Sequence, residues 1–303
     1  MTEFADHGLD RLSPAAARLA SLFARPKGLA VACVLALTGL GWLYLGLLIA
    51  GMGGPAAALG PGMRALDLLP RTIQVLCSPT FGIALMPDGA WGAGGFALVA
   101  LMWSAMTLAM MLPSAAPMIL TYAEIADTAA RKDERIVSPF VLAAGYTAIW
   151  LGFAFSASVA QLFFTRAALI DADMASASGL FSGAIFIAAG VYQFSTLKDA
   201  CLRQCQSPFP FFFTHWATTP RGVFRLGIKQ GLYCLGCCWA MMLVMFAVGV
   251  MNVVWMAALG VVMTMEKIGG GKRLSYGVGA ALIAVGLGFV LADIAVHWPP
   301  RHI

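Results

Sequence analysis

Long apolar stretches separated by short polar segments dominate the pattern of this chain. A helix that crosses a bilayer needs about 20 mostly apolar residues, because unpaired backbone polar groups are costly in the hydrocarbon core. Six stretches meet this length: Leu29–Ala50, Gly95–Tyr122, Pro139–Phe164, Gly179–Leu197, Leu232–Met263 and Leu274–His297. The pattern therefore predicts an all-α, polytopic transmembrane helix bundle of about six spans.

Two regions outside these stretches complete the predicted organisation. Residues 1–28 are polar and mixed, and they form a cytoplasmic N-terminal segment ahead of a single transmembrane domain at 29–303. The first outer loop is rich in Gly and Pro. Its apolar run, Thr72–Met86, is about 15 residues long and contains Pro79, which is too short for a span. We therefore predict an interfacial or re-entrant segment there.

Composition and charge support a membrane protein and indicate its orientation. Hydrophobic residues make up 60% of the 303 positions, charged residues 11%, and mean hydropathy is +0.84. Basic residues favour the cytoplasmic side of a membrane. With the N-terminus inside, 13 Lys and Arg fall in cytoplasmic segments and 6 on the other side. We predict a multi-pass protein of the bacterial inner membrane with both termini cytoplasmic. This bias accounts for the net charge of +5 without a nucleic-acid partner.

Five of the seven cysteines fall within 38 residues, in the predicted cytoplasmic segment around the fourth and fifth spans. Cys201 and Cys205 are four residues apart, and Cys234, Cys237 and Cys238 have helical i, i+3, i+4 spacing, so each group shares one helix face. If the two helix ends are neighbours, their sulfurs can form a four-coordinate thiolate site. In a reducing compartment such cysteines favour metal binding or redox chemistry over structural disulfides. Cys33 and Cys77 stand alone and fit apolar core positions.

Several neighbouring groups extend this candidate site. The bases Lys198, Arg203, Arg225 and Lys229 favour thiolates, and His215 is a candidate imidazole ligand or an interfacial residue beside Trp216. At about 100° per residue, one stripe of the fifth span continues from the cysteines; its members are Cys234, Cys238, Met241, Met245, Asn252, Met256 and Met263. Thioethers are soft ligands suited to Cu(I), although methionine also fills apolar interiors. A buried Asn252 needs a partner, either across a helix interface or in a site.

Several motifs together resemble a bacterial family of predicted metal-binding integral membrane proteins of unknown function. They are Trp103–Met106, Ala109–Met118, Tyr122, Tyr192–Gln193, Leu197–Lys198, Cys201, Cys205, Pro208, His215–Trp216, Cys234–Trp239, Gly249–Asn252 and Trp255–Ala257. The resemblance covers about residues 91–290. It implies metal binding and names neither a metal nor a reaction.

Three functions follow from these patterns. The first is a non-enzymatic protein that binds a soft metal ion, Cu(I) rather than Zn, for copper handling or transfer at the cytoplasmic membrane; the ligands are Cys201, Cys205, Cys234, Cys237, Cys238, His215, Met241 and Met245. The second is an accessory or scaffold subunit of a membrane complex with a structural Zn-thiolate clamp. The third is a thiol-redox protein using the adjacent Cys237 and Cys238. Expected partners are the lipid bilayer and a membrane-complex or metal-donor protein.

Overall fold

The computed structural model describes residues 26–51, 93–130, 137–170, 178–269 and 271–297, and these residues form nine helices and no β-sheet. The helices are α1 (Pro26–Gly51), α2 (Ala93–Ala130), α3 (Pro139–Arg166), α4 (Gly179–Tyr192), α5 (Thr196–Gln206), α6 (Pro208–Thr214), α7 (Pro220–Val248), α8 (Val253–Ile268) and α9 (Gly271–His297). The all-α prediction is confirmed. The predicted segments at 1–25 and 72–86 lie outside the described residues, as does Cys77.

Local sequence signals set where several helices begin. Ser138, Ser178, Ser195 and Thr219 are N-caps whose hydroxyl groups accept a hydrogen bond from a backbone N–H in the first turn. Such caps satisfy amide groups that have no partner within the helix. In α3 and α7 a proline follows the cap, where its missing N–H costs nothing.

Four helices, α2, α3, α7 and α9, are long and apolar enough to cross a membrane. Helices α4 and α5 are bent by 65° at a short break and make a fifth span if they are taken together. Helix α1 coincides with the first predicted span, and its described apolar part is Ala32–Gly46. The predicted number of six spans stays a prediction.

The predicted fifth span, Leu232–Met263, is wrong as a single helix. The structure divides it into α7 and α8 at Gly249–Asn252. Gly249 has φ of +99°, a backbone conformation that side-chain-bearing residues rarely adopt, and Asn252 caps α8 by accepting from Trp255 N at 3.2 Å. Helix α8 then turns back along α7, which brings Lys267 level with Cys234. A Gly followed by an Asn three residues later was the available signal for this break.

Long-range contacts fix the direction of each helix in the bundle. We call the end at which α2 finishes and α3 begins, together with α6 and the start of α7, the near end; the other is the far end. Tyr122 Oη donates to Val137 O at the near end, and Ser182 Oγ donates to Ala247 O at the far end. Helix α9 starts at the near end, where Lys272 pairs with Asp199 of α5.

Helix α9 finishes at the far end, beside the start of α4. Gly179 N donates to Asp293 Oδ1 at 3.2 Å. Gly179 and Gly183 form the G-x-x-x-G pattern of α4, and Gly183 contacts Val290 and the carbonyl of Gly286 closely enough that no side chain would fit. The C-terminal end of α9 and the start of α3 therefore lie at opposite ends of the bundle. The prediction that both termini are cytoplasmic concerns residues 1–25 and 298–303, which lie outside the described residues, and it stays a prediction.

Candidate metal-binding site

Helix α7 carries three buried cysteines halfway along its length. Cys234, Cys237 and Cys238 are 3%, 1% and 1% exposed. The sequence predicted them at the start of a span, but α7 begins at Pro220, more than three turns earlier. They consequently lie inside the bundle and not at a helix end.

Helix α5 brings the other two cysteines against α7. Cys205 Sγ lies 3.9 Å from Cys237 Sγ. Cys201 packs over Gly236, where an added Cβ would lie only 2.6 Å from the Cys201 sulfur. Tyr192 Oη, at the end of α4, donates to Gly236 O at 2.6 Å and ties this part of the chain to the same turn of α7. Helices α5 and α7, which must be neighbours if their cysteines are to bind one metal ion, are thus in contact.

Sulfur atoms also approach one another within α7. Cys237 Sγ lies 3.4 Å from Cys238 Sγ and donates to Cys234 O at 3.1 Å. Two metal–sulfur bonds of about 2.3 Å span at most about 4.6 Å, so Cys205 and Cys237 are close enough to bind one ion. Within the described residues, no set of three or more Cys, His, Asp and Glu side chains has the arrangement of a complete metal site.

Cys234 contacts polar side chains on two other helices. Its Sγ lies 3.0 Å from Tyr146 Oη of α3 and accepts from Lys267 Nζ of α8 at 3.0 Å. Lys267 Nζ also donates to Ser114 Oγ of α2 at 2.6 Å. These groups border a cavity of about 10 Å³, lined by Ser114, Ala115, Met118, Tyr146, Cys205, Gln230, Cys234 and Lys267. The cavity has room for about one atom of water size.

The base that contacts a cysteine is not one that sequence reasoning selected. Lys198 forms a buried ion pair with Glu266 at 2.7 Å, and Arg203 pairs with Asp199 at 3.3 Å. Lys267 was missed because a continuous fifth span would place it at the opposite end of the bundle. The signal that could have identified Lys267 is the pair of adjacent charged residues, Glu266 and Lys267, directly after a 13-residue apolar stretch. Such a pair indicates that α8 ends in polar contacts.

The methionine stripe is buried but is shared by two helices. Met241 and Met245 of α7 are both 0% exposed, as are Met256 and Met263 of α8. Because the chain reverses at Gly249, the angular positions counted from Cys234 do not continue past α7. Asn252 serves as a helix cap, with Nδ2 donating to Val248 O at 3.1 Å.

His215 lies at the C-cap of α6 and is exposed. Its ring stacks on Phe211 with centroids 5.1 Å apart, and its Nδ1 lies 2.8 Å from Thr214 Oγ1. Neither contact links it to the cysteines, and its role as a ligand stays a prediction. Cys33 is partly exposed and lines an apolar groove between α1, α2 and α3; it stands alone in apolar surroundings, as predicted, but is not a core residue.

Comparison with known proteins adds one match. A family model described as PpoB2, copper chaperone, matches residues 100–289, which include α3 to α8 and most of α2 and α9. No curated protein and no solved structure matches the chain.

Proposed function

The chain belongs to the PpoB2 copper chaperone family, and we propose that it binds Cu(I) as cargo through the cysteines of α5 and α7 and passes it to a partner protein. The observation that carries this proposal is the 3.9 Å approach of Cys205 Sγ to Cys237 Sγ, which joins thiols from two helices. Cu(I) is a soft ion that thiolates bind in preference to hard cations. Such a pair is suited to a two-coordinate Cu(I) complex.

The exposure of the cysteines supports transfer as well as binding. Cys201 and Cys205 are partly exposed, while Cys234, Cys237 and Cys238 are buried. A metal ion can therefore pass by thiol exchange from the accessible α5 cysteines to the α7 cysteines, without a free ion crossing an apolar layer. Met241 and Met245 lie one and two turns beyond Cys238 and offer weaker soft ligands.

A location in the cytoplasmic membrane is supported by the outer surface and the charge distribution. Large apolar side chains are exposed on the outer faces of the helices, including Leu40, Phe155, Phe163 and Leu291, each at least 57%, as suits contact with lipid. In the described part of α3 to α9, Lys and Arg other than the buried Lys267 collect at the near end: Lys198, Arg203, Arg221, Arg225, Lys229, Lys272 and Arg273, against Arg166 at the far end. By the positive-inside tendency, the near end is cytoplasmic.

The test is anaerobic Cu(I) loading of the purified chain under reducing conditions. Wild type is expected to bind Cu(I) stoichiometrically, and Cys237→Ser to lose most of it because Cys237 contacts both Cys205 and Cys238. Cys33→Ser is the matched control, since Cys33 lies in a separate groove, and it is expected to bind as wild type does. Wild-type protein that binds no Cu(I) would contradict the proposal.

A zinc clamp is the second candidate, because the Cys205–Cys237 contact joins two helices as a structural site would. In that case the purified protein holds Zn tightly, and removal of the metal lowers its melting temperature. Metal-free protein in which Cys237 and Cys238 oxidise reversibly would instead support the redox function.

A further inference from the structure

Lys267 is a buried lysine whose ammonium group faces a sulfur. It is 6% exposed, and its Nζ contacts Cys234 Sγ at 3.0 Å and Ser114 Oγ at 2.6 Å. Burying an ammonium ion is costly unless it is paired with an anion and hydrogen-bonded. The side chain therefore needs a negative partner at this position.

The carboxylate of the neighbouring residue, Glu266, pairs with a different lysine. Glu266 accepts from Lys198 Nζ at 2.7 Å, and the backbone carbonyl of Glu266 accepts from Gln206 Nε2 at 2.6 Å. Within the described residues Lys267 has no ion pair with a carboxylate. The anions available to it are thiolates, and the closest sulfur is that of Cys234.

The same contacts of Glu266 fix the position of Lys267. They join the last turn of α8 to α5, the helix that carries Cys201 and Cys205. Because Glu266 is turned toward α5, the next residue, Lys267, faces α2 and α7. The ammonium group is thus held beside the cysteines by an ion pair on the neighbouring residue, independently of any metal.

We propose that Lys267 supplies the fixed positive charge that balances a Cu(I)–dithiolate complex of Cys234 and Cys205, which line one cavity with it, and thereby makes this site prefer monovalent to divalent soft ions. This inference rests on the proposed function. Cu(I) bound by two thiolates has a net charge of −1, which the ammonium cancels. The complex of a divalent ion with the same two thiolates is already neutral. The ammonium group of Lys267 is then an uncompensated positive charge in a medium of low dielectric constant.

The experiment compares Ag(I) and Hg(II), two soft ions that both form linear dithiolates and differ by one unit of charge. Lys267→Met keeps the length of the side chain and removes its charge. We expect its Ag(I) affinity to fall by about 10- to 100-fold, the range for losing a hydrogen bond to a charged group, while its Hg(II) affinity is unchanged or higher. Lys267→Arg retains the charge and is expected to restore most of the Ag(I) preference.

Two further variants guard against indirect effects. Lys272→Met removes an exposed lysine that pairs with Asp199, and it is expected to leave both affinities unchanged. Ser114→Asp places a carboxylate next to the ammonium without removing it, and it is expected to lower the Ag(I)-to-Hg(II) preference as Lys267→Met does. It serves as the test variant if Lys267→Met does not fold.

The possible outcomes separate the two ideas. Wild type that binds neither Ag(I) nor Cu(I) contradicts the proposed function itself. The second outcome is that wild type binds Ag(I) but Lys267→Met changes the Ag(I) and Hg(II) affinities equally, or changes neither. That outcome overturns the role of Lys267 and leaves the proposed function standing. An equal loss for both ions would mean that Lys267 only supports the local packing.

Discussion

Tyr146 shows how a single hydroxyl group links the surroundings of Cys234. Its Oη lies 3.0 Å from Cys234 Sγ and donates to Met111 O at 3.2 Å, and the ring is 2% exposed. One phenol thus connects α3 to α2 and α7. The position of the Cys234 sulfur is set by these contacts as well as by the α7 backbone.

We predict that Tyr146→Phe lowers the free energy of unfolding by about 1 to 3 kcal/mol, because it leaves a buried carbonyl without one of its donors. Thermal unfolding of the purified protein in detergent measures the effect. Tyr276→Phe is the control, since Tyr276 is 45% exposed, and it is expected to melt within about 1 °C of wild type. Equal melting temperatures for all three proteins would refute the structural role of the hydroxyl group.

At the scale of elements, the last turn of α8 joins the two helices that carry the five cysteines. Glu266 contacts α5 through Lys198 and Gln206, and Lys267 contacts α7 through Cys234. Helix α8 is 16 residues long and is bounded by glycines with positive φ, Gly249 and Gly269. Because the end of this short helix contacts both α5 and α7, it holds these two helices in a fixed position relative to each other.

The buried ion pair between α5 and α8 gives a prediction with an internal control. Lys198→Met leaves Glu266 as an unpaired buried carboxylate, so we expect a loss of about 3 to 5 kcal/mol in unfolding free energy. Arg203→Met breaks an exposed pair on the same helix, for which the expected loss is below about 1 kcal/mol. Denaturant unfolding of both variants distinguishes them.

A double variant, Lys198→Met with Glu266→Gln, tests whether the unpaired carboxylate charge of Glu266 causes the loss of stability. Removing the carboxylate as well should recover a large part of the stability, since the uncompensated charge is then gone. If Lys198→Met and Arg203→Met destabilise the protein equally, the pair does not join α5 to α8 as the structure indicates.

At the scale of the whole molecule, the return of α8 changes the end of the bundle at which α9 finishes. A continuous fifth span would give an even number of crossings after the α2–α3 connection. Because α7 runs to the far end and α8 returns, the hairpin adds one passage and makes the number odd, so α9 starts at the near end and finishes at the far end. Lys272 and Arg273 then join the basic near end, which agrees better with the positive-inside tendency.

We therefore predict that a reporter fused at the C-terminus and one inserted in the α2–α3 connection report opposite sides of the membrane. A paired reporter set, active either in the cytoplasm or outside it, measures each location in cells. The connection is expected to be cytoplasmic and the C-terminal fusion external. Two reporters on the same side would contradict a bundle in which α8 returns and α9 crosses.

Much of the candidate site followed from spacing within one helix. The separations of Cys201 from Cys205 and of Cys234 from Cys237 and Cys238 placed each group on one face, because helical geometry is local. The sequence could not show that α5 contacts α7; a shared site was predicted only if these helices were neighbours. Lys267 and Tyr146 could not be assigned at all, since they are 33 and 88 residues from Cys234 and meet it only after the helices pack; Ser114, 120 residues away, is linked to it through Lys267.

The sequence by itself determined that this protein is helical, that several helices suit a bilayer, and that five cysteines concentrate in one region. These properties depend on composition and on short-range spacing. Only the tertiary structure decided that the fifth apolar stretch reverses at Gly249–Asn252, where a local backbone turn overrides a continuous apolar pattern. That reversal brings a buried ammonium group to a cysteine and moves the end of α9 to the far end, and both consequences depend on contacts between distant parts of the chain.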